Sequence, residues 1–266
     1  SGATTYVWTP SASLSCNTCV SPIATPATAT TYVVIGTNAN GCIDTGVITV
    51  TVNTKPDVDA GADKTICFGT SANLLATGAV NYQWSPSTGL SCTACANPVA
   101  TPTTTTLYRV IGIAANGCSD TDFVNVVVNA LPNVTATGVS TICQGSGTIL
   151  VAYGASSYVW TPATGLSCTT CANPSASPAA TTAYVVTGTD ANGCTDTGII
   201  TVTVNPLPVL QVTGGGTICE GLSKQLNVTG ASSYVWTPAT GLSCTTCSNP
   251  LASPTTTTTY TVTGTT

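Results

Sequence analysis

Cysteine pairs of the form C-x-x-C stand at Cys16 and Cys19, Cys92 and Cys95, Cys168 and Cys171, and Cys244 and Cys247. That spacing serves three chemistries. A redox centre needs a thiolate stabilised at a helix N-terminus or beside a cation. Zinc needs four soft ligands converging on one point. A local disulfide needs only oxidising surroundings. The chain has no His, and its only positive residues, Lys55, Lys64, Arg109 and Lys224, lie far from the pairs in sequence. Each complete repeat holds four Cys, enough for one zinc, but an exported chain oxidises such thiols. The pairs are therefore read as local disulfides that fix the shape of a loop, since so small a ring removes little chain entropy.

Other chemistry has little to work with. Glu220 is the single Glu, and no Ser or Thr sits in a motif with a base. Asp57, Asp59 and Asp63 in PDVDAGAD are oxygen donors of the kind calcium takes, yet the equivalent stretches PNVTATGVS and PVLQVTGGG lack the carboxylates. A solvated strand accounts for them. No catalytic, cofactor or metal site is expected, and the protein is read as not an enzyme.

The first cysteine of each pair falls at 16, 92, 168 and 244, a constant spacing of 76 residues. Cys42, Cys118 and Cys194 each follow Asn-Gly, and Cys67, Cys143 and Cys219 each close Thr-Ile-Cys, at the same period. Trp8, Trp84, Trp160 and Trp236 keep it too. Such a period places repeats at 1–53, 54–129, 130–205 and 206–266, the first without its N-terminal strands and the last without its C-terminal strand. The sequence is accordingly expected to be a window on a longer repetitive polypeptide.

Within a repeat, short alternating runs rich in Val and Thr, punctuated by Gly, Pro and Asn, read as strands. In the second repeat these are strand A over 57–67 broken at Gly61, B over 72–77, C over 81–84, F over 107–114 and G over 121–129. Residues 85–96 form an irregular excursion carrying the C-x-x-C, with one or two short strands over 97–103. Asn116 and Gly117 read as a tight hairpin turn with both residues at positive φ. About seven antiparallel strands pack most economically as a two-sheet Ig-like sandwich with a Trp of strand C in its core. Tyr82, Tyr158 and Tyr234, two residues before their Trp, share its face and are read as core packing in preference to a sugar-stacking platform. The Val-Asn-x-x-Pro junctions at 53–56, 129–132 and 205–208 are short, so the sandwiches are expected end to end in a rod longer than roughly 120 Å, from strands of about 7 to 10 residues at ~3.4 Å rise.

Charged residues are only 5% of the chain and the net charge is −5. That leaves no basic patch for phosphates, so nucleic acid is not an expected partner. No apolar run approaches the roughly 18 residues of a membrane span. Fourteen regularly placed Cys without Met point to an oxidising, extracellular location.

Several phrases together carry a resemblance: T-I-C-x-G at 141–145, Y-x-W-x-P at 158–162, G-L-S-C-x-x-C-x-N-P at 165–174, T-T-x-Y-x-V-x-G-T at 181–189 and N-G-C-x-D-T at 192–197. With the V-x-V-N-x-x-P ending they resemble the Ig-like repeats, related to PKD modules, strung in tandem in Bacteroidota surface proteins of the gliding-motility adhesin and type IX secretion cargo kind. The resemblance covers essentially the whole chain. It implies extracellular presentation at the cell surface, as a non-catalytic shaft or filament or, alternatively, as an adhesin or carbohydrate-binding array. The partners so implied are neighbouring repeats of the same chain or like chains in a fibre, with a surface or glycan ligand for the second reading.

Two pairings stay open for the remaining cysteines. One joins Cys67 to Cys118 and Cys143 to Cys194 within repeats. If successive strands alternate in direction, however, the Thr-Ile-Cys end and the Asn-Gly-Cys hairpin lie at opposite ends of a sandwich, some ~25 Å apart, and a bridge needs Cα atoms within about 7 Å. In an end-to-end array the alternative is a staple between domains, Cys67 to Cys194, closing a loop of about 127 residues and contributing roughly 5 kcal/mol. Cys42, Cys118, Cys143 and Cys219 then take partners outside this sequence.

Overall fold

The structure, a computed structural model, describes residues 2–266. It is all-β and falls into two units, Ser1–Ala130 and Leu131–Thr266. The first holds β1 (Thr5–Thr9), β2 (Thr30–Thr37), β3 (Ile43–Val50), β4 (Lys64–Cys67), β5 (Ala72–Asn73), β6 (Asn81–Ser85), β7 (Val99–Ala100), β8 (Thr106–Ile113) and β9 (Ser119–Asn129). In the second are β10 (Thr135–Gly138), β11 (Thr141–Cys143), β12 (Thr148–Tyr153), β13 (Ser157–Thr161), β14 (Ser175–Ala176), β15 (Thr182–Thr189) and β16 (Thr195–Asn205). They are followed by β17 (Gln211–Thr213), β18 (Lys224–Gln225), β19 (Asn227–Thr229), β20 (Ser233–Thr237), β21 (Leu251–Ala252) and β22 (Thr261–Thr265).

Period-two alternation builds one face of each strand into a core. Along β8, Tyr108 and Val110 are buried while Leu107 points outward; on β9, Val124 and Val126 are buried and Phe123 is exposed. These residues join Trp84, Leu74, Ala76 and Ala100 in one cluster. Trp160, Tyr184, Val186, Leu150 and Val202 form its counterpart in the second unit. The main sheets run in the order β4-β9-β8-β6 and β11-β16-β15-β13. A second layer, β10-β12-β14, or β5-β7 with the Asp59 to Thr77 bridge, faces each.

Strand A departs from the expected antiparallel scheme. Its first half bridges strand B at Asp59, the chain crosses between sheets at Gly61 with φ +78°, and its second half, β4, lies parallel to β9 with Cys67 opposite Asn129. Strands A and G run in one direction, so a strand that changes sheets can only pair in parallel with G. The same crossover sets β11 parallel to β16, with Cys143 opposite Asn205.

The Asn-Gly turn also differs from expectation. Gly117 alone has positive φ there, at 82°, and no non-glycine residue described does. Gly117 N donates to Ala114 O at 3.0 Å and Ala114 N to Cys118 O at 2.9 Å, leaving a three-residue loop with Gly at its bulge. Asn116 acts through its side chain, whose Oδ1 accepts from Cys118 N at 3.0 Å.

Gly112 is needed for close approach. A Cβ there would lie 2.4 Å from Val58 Cγ2 and 2.7 Å from Ala79 Cβ; at Gly188 the distances to Val134 Cγ2 and Ala155 Cβ are 2.6 and 2.7 Å. The Tyr-x-Val-x-Gly phrase thus places a large core residue and a bare backbone on one face of one strand, where strand A crosses.

Candidate functional site: the tryptophan and its cysteine loop

Disulfides join Cys16 to Cys19, Cys92 to Cys95, Cys168 to Cys171 and Cys244 to Cys247, with Cα separations of 5.9, 6.0, 6.0 and 6.0 Å. Each ring is held against the Trp of strand C by two hydrogen bonds. The indole Nε1 of Trp84 donates to Cys95 O at 2.9 Å, and its backbone N donates to Thr93 O at 2.8 Å. Trp160 does the same to Cys171 O at 3.0 Å and Thr169 O at 2.7 Å. Trp8 and Trp236 repeat the pattern on Cys19 O and Cys247 O, both at 2.9 Å. An indole N–H taken into a core must find an acceptor. Here the second cysteine's carbonyl supplies it, and the ring holds that carbonyl in place. Neither sulfur of a pair remains as a thiolate for redox work or for zinc.

The run Gly-Leu-Ser-Cys leads into the ring. Gly89 has φ +76°, and a Cβ on it would lie 3.0 Å from Pro102 N, so two requirements fall on one residue. Ser91 N donates to Val99 O, and Val99 N to Ser91 Oγ, each at 2.9 Å. In the first repeat Ser13 replaces this glycine, and its Oγ bonds the Tyr32 hydroxyl.

Two sets of tyrosines finish the frame. Tyr82 OH donates to Ala79 O at 2.8 Å and accepts from Ala79 N at 3.0 Å; Tyr158 and Tyr234 treat Ala155 and Ala231 alike. Their hydroxyls are spent inside the fold. Tyr108 OH and Tyr184 OH donate to Thr88 O and Thr164 O, both at 2.8 Å. Burial pushes both phenols above their ordinary pKa, with a hydrogen bond to the Thr106 side chain partly opposing the rise at Tyr108. In the sequence Tyr108 and Tyr184 show only the 76-residue period, and the Thr-Gly-Leu-Ser stretch gives no sign that its Thr carbonyl is their acceptor.

Two carboxylates of the acidic stretch, Asp59 and Asp63, cap separate backbone amides. Asp59 Oδ1 accepts from Gly61 N at 2.7 Å, and Asp63 Oδ1 accepts from Asn125 N at 2.8 Å. Asp122, which the sequence did not single out, accepts from Ala60 N at 2.7 Å.

The within-repeat pairing of Cys67 with Cys118, and of Cys143 with Cys194, is not met. Cys67 lies beside Asn129 at one end of β9, whereas Cys118 precedes Ser119 at the other, a strand length of some ~35 Å away. Cys143 and Cys194 are split in the same way along β16. Cys118 and Cys143 carry free thiols, as do Cys42 and Cys219. Cys118 Sγ lies 3.9 Å from Asn53 O, and Asn116 Nδ2 donates to Thr54 O at 3.2 Å. The segment at Asn53 and Thr54 therefore rests on the Asn116-Gly117-Cys118 turn.

Two facing sheets, strand G between F and the crossed half of A, and a core Trp on strand C define Ig-like antiparallel sandwiches. No known family matches the chain, and no curated protein does. Among solved structures it is similar to the N-terminal eight Ig domains of Down Syndrome Cell Adhesion Molecule, at 14% identity and TM-score 0.35, covering 98% of this chain and 50% of that one. Sidekick-1 immunoglobulin domains 1–5 align at 14% identity and TM-score 0.30, over 94% of this chain and 67% of that one. A Ca2+-stabilized adhesin that helps an Antarctic bacterium bind ice aligns at 12% and TM-score 0.34, over 95% and 82%. The chain thus spans half the length of the first of these structures.

Proposed function

We propose that this chain is a non-catalytic, extracellular structural segment: a tandem array of Ig-like domains at 1–53, 54–129, 130–205 and 206–266, acting as a disulfide-stapled shaft or filament on a cell surface within a longer repetitive chain. One observation carries the reading. All four C-x-x-C rings spend their chemistry inward, on the Trp of their own repeat, with the same donor and acceptor each time. Among the described residues no buried side-chain nitrogen or oxygen lacks a partner, so none is left aimed at a ligand. A glycan-binding array is the second reading, but the tyrosines best placed to stack on sugar are half-buried with their hydroxyls engaged.

The staple Cys67 to Cys194 belongs to the same proposal. Its support is the contact between Cys118 and Asn53: Asn53 is the repeat equivalent of Asn129, which Cys67 neighbours, and Cys118 is the equivalent of Cys194. Denaturing electrophoresis of reduced native material tests the shaft, with a band far above 26.4 kDa expected. A single band near that mass overturns the longer chain.

A further inference from the structure

Along β12 the residues facing away from the core are Ile149, Val151 and Tyr153, an apolar row from end to end. Ile149 and Tyr153 are 62% and 55% exposed, and Val139, which shares a cleft with Ile149, is 64% exposed. The fold does not require this row. At the same points of the 76-residue period the second repeat has Asn73, Leu75 and Thr77, and the fourth has Gln225, Asn227 and Thr229. Val139 is matched there by Asp63 and Gly215. Exposed apolar side chains scattered singly need no explanation, but an unbroken row confined to one copy of a repeat points to a ligand.

Hydroxyls line both sides of the row. On β10, Thr135 lies opposite Tyr153 and Thr137 opposite Val151, while on β14 Ser175 lies opposite Ile149. A shallow cleft of about 510 Å³ at the Ile149 end takes in Val139, Ser175 and Ser177. The hydroxyls of Thr135, Thr137, Ser175 and Tyr153 make no hydrogen bond among the described residues, whereas Tyr158 and Tyr184 of the same repeat spend theirs on Ala155 O and Thr164 O. The only charged residues of 130–205 are Asp190 and Asp196, and both belong to the β15–β16 hairpin of the other sheet. Four residues of strand by two strand spacings make a platform of about 14 by 10 Å.

We propose that this face binds a neutral, β-linked glucan laid along β12. Such a chain carries C–H groups on the faces of its rings and hydroxyls along its edges. The rings rest on Tyr153, Val151 and Ile149, and the edge hydroxyls meet those of Thr135, Thr137 and Ser175. A face without charge offers no partner to a uronic acid or a phosphate. Its area of about 140 Å² falls well short of the roughly 800 Å² that each partner gives to a stable protein interface, but it is as narrow as a sugar chain. The proposal deepens the glycan reading, given second above, by moving it from the tyrosines before each Trp to one face of one repeat.

Cellotetraose titrated into the whole chain is expected to shift the NMR signals of the Ile149 and Val151 methyls and the Tyr153 ring together, with those of the exposed Leu75 methyls in the second repeat unmoved. Tyr153→Thr and Ile149→Asn install residues that neighbouring repeats carry at the same points of the same fold, Thr77 and Asn73, so the sandwich tolerates both. Each is expected to weaken binding about tenfold. No shift at millimolar cellotetraose overturns the proposal, as does affinity unchanged by both substitutions. Equal affinity for tetragalacturonate overturns it too, because the face then has no preference for a neutral chain. Sedimentation in which the sugar-free chain dimerises, and Tyr153→Thr abolishes the dimer, overturns it by giving the row to a second copy. None of these outcomes bears on the electrophoretic mass that tests the shaft.

Discussion

Replacing Cys168 and Cys171 together by Ser tests what the ring contributes. The bond spans a separation of 3 residues, so it closes a loop of four. In the chain-entropy model that is worth roughly 1.9 kcal/mol at 25 °C. The opening equilibrium of the loop should shift by about 25-fold, at 1.36 kcal/mol per factor of ten. The most direct reporter is the Trp160 amide, whose hydrogen is given to Thr169 O inside the ring at 2.7 Å. Hydrogen exchange of that amide is expected to accelerate by about the same factor, with the Cys171 carbonyl releasing the indole. Repetition supplies the control in the same tube: the Trp84 amide, bonded to Thr93 O at 2.8 Å beside an intact ring, should keep its rate. Exchange at Trp160 within about twofold of the parent would refute the reasoning, because the Trp would then be holding the loop unaided. Equal acceleration at Trp84 would refute it differently, by showing that the substitution acts on the whole chain.

Three further outcomes are expected. Gly188→Ala should cost about 1 to 3 kcal/mol in urea unfolding, as overpacking does, and the added changes Val134→Ala and Ala155→Gly should recover most of it by removing the atoms within 2.7 Å of the new Cβ. Because burial raises the pKa of Tyr108 and Tyr184 above 10.0, the folded state holds those protons longer than the unfolded one. Stability should be level below pH 10 and fall as pH rises through the folded pKa values, a fall that Tyr184→Phe lessens in thermal scans between pH 8 and 12. Non-reducing peptide mapping should recover one peptide pair containing Cys67 and Cys194; a Cys67 to Cys118 pair would rule out the staple.

What was legible in the sequence followed from alternation and period. Strands C, F and G fell within two residues of their expected ends because Val and Thr alternate there without interruption. Strand A was legible in place but not in partner. Its two halves belong to different sheets, and one Gly at 61 reveals a break without saying where the chain goes next. The Asn-Gly turn was misread because two residues look like a two-residue loop; the third, Ala115, belongs to the turn because the backbone closes between Ala114 and Cys118. For the C-x-x-C, composition sufficed to choose disulfide over thiolate chemistry. Its purpose was not legible, since the indole acceptor is a backbone carbonyl, and carbonyls leave no mark in a sequence.

That last point bears on what can vary. The Trp pin reads main chain at Thr93 and Cys95, at Thr169 and Cys171, and at their counterparts, while the side chains between each pair of sulfurs enter none of its hydrogen bonds. The pair of residues inside each ring is Asn-Thr, Thr-Ala, Thr-Thr and Thr-Thr in chain order. Each ring is therefore a closed two-residue display position. A lattice of such positions can be rewritten, by drift or by a designer grafting a label, while the scaffold that presents it goes unaltered.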